Sequence, residues 1–98
     1  MLESKFQTSL IKEIKARYPG VICIKNDANY LQGIPDWTIF FNDRYALFEA
    51  KKSEDAPARP NQPYYVELFG AMSFAAFVYP ENKDEFLTAL DVHFGVIS

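Results

Sequence analysis

With one cysteine (Cys23) and one histidine (His93) in 98 residues, the chain cannot build a Cys/His zinc site or a disulfide framework from its own residues. The same scarcity excludes a Cys–His dyad close in sequence and disfavours His-centred nuclease chemistry. Cys23 sits inside the apolar run Val21–Ile24, where it is most simply read as a buried small hydrophobe. No excess of positive charge is present either. Ten Lys and Arg against thirteen Asp and Glu give a net charge of −3, which argues against a broad phosphate-binding surface. Global charge is a weak test, because a metal site needs carboxylates and a bound cation changes the field that a phosphate meets. No apolar run approaches the roughly 20 residues of a membrane span, and no signal peptide is visible at the start. A reducing cytoplasm, prokaryotic or that of a phage-infected cell, is the expected setting.

What the chain does have is apolar and aromatic material. Hydrophobic residues make up 49% and aromatics 16%, enough for one real core in a single domain over residues 1–98. In so small a domain much apolar surface stays uncovered, so nine Phe, six Tyr and one Trp lead us to expect a homodimer.

Leu2 to Tyr18 reads as an amphipathic helix, with Phe6, Leu10, Ile11, Ile14 and Tyr18 at helical spacing and Pro19-Gly20 as its stop. Val21–Lys25 is a short β-branched strand, and Asn26 to Gly33 is a polar loop. Trp37–Phe41 and Tyr45–Ala50 are apolar runs split by Asn42-Asp43-Arg44, a hairpin signal. Neither alternates cleanly, so both faces of their sheet are expected to be covered. Ser53 to Pro60 is an exposed loop. Gln62 to Met72 follows as a helix that tolerates Pro63 in its first turn. Phe74–Tyr79 is a last strand and Asn82–Leu90 a last helix, with Asp84 and Glu85 where the dipole favours them. The order αβββαβα predicts an α/β fold, a mixed sheet with helices on both sides.

Three features carry chemistry. Gly33-Ile34-Pro35-Asp36 delivers an aspartate to the start of a strand. Glu49-Ala50-Lys51 closes the next strand, and Gln62 opens the following helix. Residues two apart on a strand share a face about 6.6 Å apart, so Glu49 and Lys51 project together. Taken alone, Glu-x-Lys is most often the wet end of a strand. Asp36 changes that reading, because a hairpin brings it beside Glu49 and Lys51. Two carboxylates that meet need a cation to offset their repulsion, and oxygen donors without His or Cys suit Mg²⁺ or Mn²⁺. Such an ion, with a lysine beside it, is equipment for phosphodiester hydrolysis.

The shared face depends on hairpin register. Pairing Phe41 with Tyr45 would set Asp36 and Glu49 on opposite faces. We therefore expect a two-residue turn at Asp43-Arg44, a four-residue loop, or a bulge of the same parity. The lack of glycine favours the longer loop.

Pro35-Asp36, then twelve residues, then Glu49-Ala50-Lys51 closely resembles the PD-(D/E)XK nuclease superfamily. The surroundings look like its virus-type replication-repair (VRR-Nuc) branch, similar to Holliday-junction resolvases. There a helix carrying a glutamate precedes the Gly-x-Pro-Asp and Glu-x-Lys strands, and a glutamine opens the next helix. The resemblance spans about residues 3 to 80 and implies a restriction-endonuclease-like core. It also implies Asp36, Glu49 and the Ala50 carbonyl as metal ligands, Lys51 as the catalytic lysine, and Gln62 placing the water or the lysine. It matches Glu3 to the leading glutamate. By helical geometry Glu3 lies roughly 20° from Leu10, in the middle of the apolar stripe, either frayed into solvent or aimed at a cation. The implied substrate is branched or structured DNA, as in repair or recombination. Lys25, Asn26 and Asn29, and Lys52, Arg59 and Asn61, flank the two loops beside the site as candidate phosphate contacts on the DNA, although any one such residue is more often simply a solvated loop residue. Nicked or single-stranded DNA, and a non-catalytic DNA-binding module, are the alternatives.

Overall fold

The structure, a computed structural model, describes residues 2–96. Helix α1 (Glu3–Arg17) leads into strand β1 (Ile22–Lys25), strand β2 (Trp37–Phe41) and strand β3 (Arg44–Ala50). Helix α2 (Gln62–Met72), strand β4 (Ala75–Val78) and, after a 3₁₀ turn at Pro80–Asn82, helix α3 (Lys83–His93) follow. Among the described residues the fold is thus α/β, a four-stranded mixed sheet with three helices. Its strands lie in the order β1-β2-β3-β4. The first two pairings are antiparallel and β3–β4 is parallel, joined by the α2 crossover.

Alternation along the strands sorts the sheet into two faces. Ile39, Ala46, Phe48, Ala50 and Val78 point to one, where they cluster with Phe6, Leu10, Ile14 and Tyr18 of the α1 segment and with Phe86, Leu87 and Leu90 of α3. Leu47, Glu49, Lys51 and Phe77 take the other face, on which α2 lies against β3 and β4. Cover on that second face is incomplete, contrary to the expectation of two covered faces. Ile22 is 59% exposed, Ile24 48% and Phe40 39%. The reason is width: one 11-residue helix spans two strands and leaves β1 and β2 bare.

The hairpin turn also differs from expectation. Phe41 pairs with Arg44, so the loop is the two residues Asn42-Asp43. No glycine is needed because Asn42 itself takes a positive φ of 57°; asparagine tolerates the left-handed region better than other residues with a Cβ. Parity is nevertheless of the required kind. Extending the register by one residue sets Asp36 directly opposite Glu49.

α3 runs three residues past Leu90, and the cause is tertiary. Arg17, at the end of α1, donates from Nε to Asp91 Oδ1 (2.9 Å) and from Nη2 to Oδ2 (2.5 Å). The buried Tyr18 hydroxyl donates to the same carboxylate at 2.5 Å. Arg17 chiefly, with Tyr18, holds the Asp91 carboxyl below its usual range, while burial and Asp91 push the Tyr18 phenol well up. Because the folded-state value of Asp91 is depressed, its contribution is present above the unfolded aspartate pKa of about 4. It is lost as pH falls through the folded value. Asp91→Asn should therefore flatten the acid limb of a melting-temperature-against-pH curve. It should cost about 1–2 kcal/mol at neutral pH, at the low end for a charged hydrogen bond because Arg17 stays partly solvated. An unchanged acid limb would remove this cluster as the pH-sensitive clasp.

Candidate functional site

Burial is what distinguishes this end of the sheet. Glu49 is only 2% exposed and Lys51 5%, so Glu49-Ala50-Lys51 is no solvated strand end. The Glu49 carboxylate accepts a hydrogen bond from the Asp36 backbone N–H at 3.1 Å. Burial first, then the neighbouring Asp36 carboxylate, drive the Glu49 carboxyl well above the ordinary glutamate value, against the pull of Lys51. A desolvated carboxylate pressed against a second one is costly, and a cation at that position relieves the cost. The donors at hand are oxygens: two carboxylates and the backbone carbonyl of Ala50, whose side chain lies in the core on the opposite face. That set fits Mg²⁺ or Mn²⁺.

Lys51 is held in place rather than left to swing. Its Nζ donates to Gln62 Oε1 at 2.7 Å and to the Pro57 carbonyl at 3.3 Å. Gln62, 4% exposed and the buried residue of α2, also accepts from the Arg59 backbone N–H at 2.8 Å. Its acceptor oxygen thus ties the lysine to the loop after β3. Asn61, the residue before α2, has a φ of 69°.

Gly33 clamps this loop to the loop before Asp36. Its φ is +93°, and a Cβ there would sit 2.5 Å from Asn61 Cβ and 2.8 Å from the Asn61 carbonyl carbon. Any other residue would meet both the left-handed penalty of roughly 1–2 kcal/mol and a collision with backbone. The glycine of Gly-x-Pro-Asp is therefore required by close approach, and that approach sets Asp36 and Gln62 in one frame.

The remaining candidates divide. Lys25 Nζ lies 3.6 Å from Asp36 Oδ1 and over the Trp37 ring, 5.3 Å from its centroid. Asn26 serves the fold, since its amide donates to the Pro35 carbonyl (2.9 Å) and the Thr38 hydroxyl (2.8 Å) and so pins the approach to Asp36. Its hydrogen-bonding groups are already engaged, which leaves it poorly placed for the phosphate contact expected of it. Asn29, Lys52 and Arg59 are exposed on the flanking loops. Glu3 is half-buried in the first turn of α1. Among the described residues no group of three or more His, Cys, Asp or Glu side chains gathers at a metal-holding distance; Glu3 lies one helical turn before Gln7 on α1. Cys23 is only half-buried, and burial raises its thiol pKa. His93 packs far from the carboxylates, its Nε2 2.8 Å from the Tyr45 carbonyl at the opposite end of β3.

One site residue escaped the sequence reading. Gln7 donates from Nε2 to Asp36 Oδ2 at 3.0 Å and accepts from Lys25 Nζ at 2.9 Å, holding the aspartate and the lysine at once. The available signal was its position one helical turn after Glu3, beside the apolar stripe.

Among the described residues no helix is long and apolar enough to cross a membrane. Compared with models of known protein families the chain matches none, and no curated protein matches it, so what it does must be argued from the chemistry of Asp36, Glu49, Lys51 and Gln62 themselves.

Proposed function

We propose that this chain is a Mg²⁺- or Mn²⁺-dependent endodeoxyribonuclease, hydrolysing phosphodiester bonds in branched or otherwise structured DNA. The observation that carries the reading is the buried Glu49 beside the half-buried Asp36, with Lys51 two residues along the same face and also buried. The hairpin, the parallel crossover and the αβββαβα order support a restriction-endonuclease-like core.

Asp36, Glu49 and the Ala50 carbonyl are the residues that would hold the ion. When bound, it supplies Lewis-acid polarisation of a phosphoryl oxygen and lowers the pKa of a coordinated water. The chain's own residues do the rest. Gln7 orients Asp36, Gln62 fixes Lys51, and the Lys51 ammonium is placed to stabilise charge that develops on the phosphate. A retained binding module is the competing reading. A buried Glu49 set beside Asp36 without chemistry to perform is a cost that such a module would have no reason to keep.

Purified protein should be incubated with end-labelled four-way junction, flap, nicked duplex, linear duplex and single strand, with Mg²⁺, Mn²⁺ or chelator. The junction is expected to be cut first, and chelator should stop all cleavage. Absence of cleavage of every substrate under both metals would sink the proposal.

Self-association belongs to the same reading, since cutting two strands calls for two sites. Ile22, Phe40 and Tyr45 form a row across β1, β2 and β3. On the same side of the sheet α2 leaves Tyr64 61%, Leu68 39% and Met72 63% exposed. A large apolar or aromatic side chain carries on the order of 150–250 Å², and a stable interface needs about 800 Å² per partner. Those residues together with Ile24, at roughly half exposure, come to that scale. Sedimentation should show a dimer at micromolar concentration that Met72→Glu converts to monomer; a monomeric wild-type chain would overturn this arm.

A further inference from the structure

A cavity of about 260 Å³ opens on the far side of Lys51 from the carboxylates, lined by Lys51, Glu54, Ala58, Phe77, Tyr79 and Asn82 among others. Register explains its position. Glu49 pairs with Phe77 and Ala50 with Val78, so Tyr79 falls beside Lys51 one step on. Asp36, Glu49, Lys51 and the two aromatics therefore lie in sequence across one face of the sheet. We propose that this cavity receives an unpaired nucleobase of the DNA strand whose backbone lies at Lys51; the inference rests on the nuclease reading and deepens it by naming the substrate feature.

Three observations point to a base. The walls are apolar and aromatic, from Ala58, Phe77 and Tyr79, which suits the flat face of a base; stacking on aromatic side chains is the general means of holding single strands. The volume falls below the ~300–1,000 Å³ of pockets for drug-sized ligands, a scale fitted to one ring system. The Lys51 ammonium, 5.9 Å from the Phe77 ring centroid, forms part of the wall, so a base inside would have its phosphate on the cationic side.

The polar lining then sets a preference. Asn82 is spent on the fold: its Oδ1 accepts from the Tyr79 N–H at 2.8 Å and its Nδ2 donates to the Phe77 carbonyl at 3.1 Å. Glu54 is exposed, and its carboxylate can accept from an exocyclic amine, as acidic side chains do from cytosine N4. Thymine offers no such donor. The cavity should therefore favour cytosine over thymine, and only bases free of a duplex can enter.

The test is binding of the full chain, in chelator, to fluorescein-labelled dC12, dT12 and a blunt 12-base-pair duplex, followed by anisotropy. Wild type should bind dC12 more tightly than dT12, and Glu54→Ala should abolish that difference. Tyr79→Ala should lower single-strand affinity relative to duplex about tenfold. Because Tyr79 borders a strand, Ala58→Leu is the second variant: Ala58 is exposed on the loop, so a larger side chain fills the cavity without disturbing the core. It should keep the wild-type melting temperature and show the same tenfold relative loss. Wild-type binding of dC12 by a folded Ala58→Leu, or no preference of wild type for dC12 over dT12, would overturn the proposal. If the wild type cuts DNA with Mg²⁺ and these binding arms fail, the cavity alone is excluded. If nothing is cut but the arms succeed, the nuclease reading falls and the base site stands.

Discussion

Glu49→Gln is expected to abolish cleavage and, without metal, to raise the melting temperature. The two effects share one cause. Glu49 is a desolvated carboxyl facing the Asp36 carboxylate, and its pKa is driven well up, so a permanently neutral glutamine removes the cost of protonating it, or of burying its charge beside Asp36, in the metal-free protein. The same neutralisation removes the charge that would hold a divalent cation. Charge stabilisation by such an ion is worth several kcal/mol, and each ~1.4 kcal/mol is tenfold in rate. Turnover should therefore fall on the order of 10³-fold or more. Asp36→Asn should lose activity to the same degree with a smaller gain in stability, because Asp36 keeps partners in Gln7 and Lys25. Adding Mg²⁺ should raise the melting temperature of the wild type and leave both variants unmoved. Thermal melts with and without metal, beside a cleavage assay, give each of these readings. Activity in either variant near that of wild type would remove the carboxylate pair as the ion's seat.

What could be read from the residues was wherever a local signal coincides with the physical one. Trp37–Phe41 and Gln62–Met72 begin and end where the sequence places them, because Pro35-Asp36, Asn42-Asp43 and Pro63 punctuate the chain at those points. The αβββαβα order follows from the same punctuation. Hairpin parity was legible as a requirement, since carboxylates on opposite faces could not meet; the turn was not, because glycine is only the commonest carrier of positive φ and Asn42 took that part. Other misses are all long-range. α3 continues past Leu90 because Arg17, 74 residues away in sequence, captures Asp91. Gln7 meets Asp36 across 29 residues. The open outer face of β1 and β2 depends on where α2 lands, which no window of sequence encodes. Burial of Glu49 and Lys51 was the decisive unknown: as sequence, Glu-x-Lys is most often a solvated strand end, and only the fold removes that reading.

Lys51→Ala should separate chemistry from binding. Lys51 and Lys52 are neighbours in sequence with opposite surroundings. The first is buried, donating to Gln62 and Pro57, and the second is exposed. A buried, oriented ammonium acts on charge as it develops, and removing one such preorganised donor costs about 10²–10³ in turnover. An exposed lysine contributes phosphate attraction that salt screens. Lys51→Ala should thus lose at least a hundredfold in single-turnover rate while DNA affinity stays within a few fold. Lys52→Ala should keep its rate at saturating DNA, weaken binding and lessen its salt dependence by about one charge. Gln62→Ala supplies the internal control: it keeps the ammonium but removes an acceptor that fixes it, so its rate should fall between wild type and Lys51→Ala. Methylated or shortened lysine analogues at position 51 would then grade the rate by reach rather than by charge. Equal losses of rate in Lys51→Ala and Lys52→Ala would mean that burial and the Gln62 contact do not distinguish the two, and the assignment of Lys51 to the chemical step would be withdrawn.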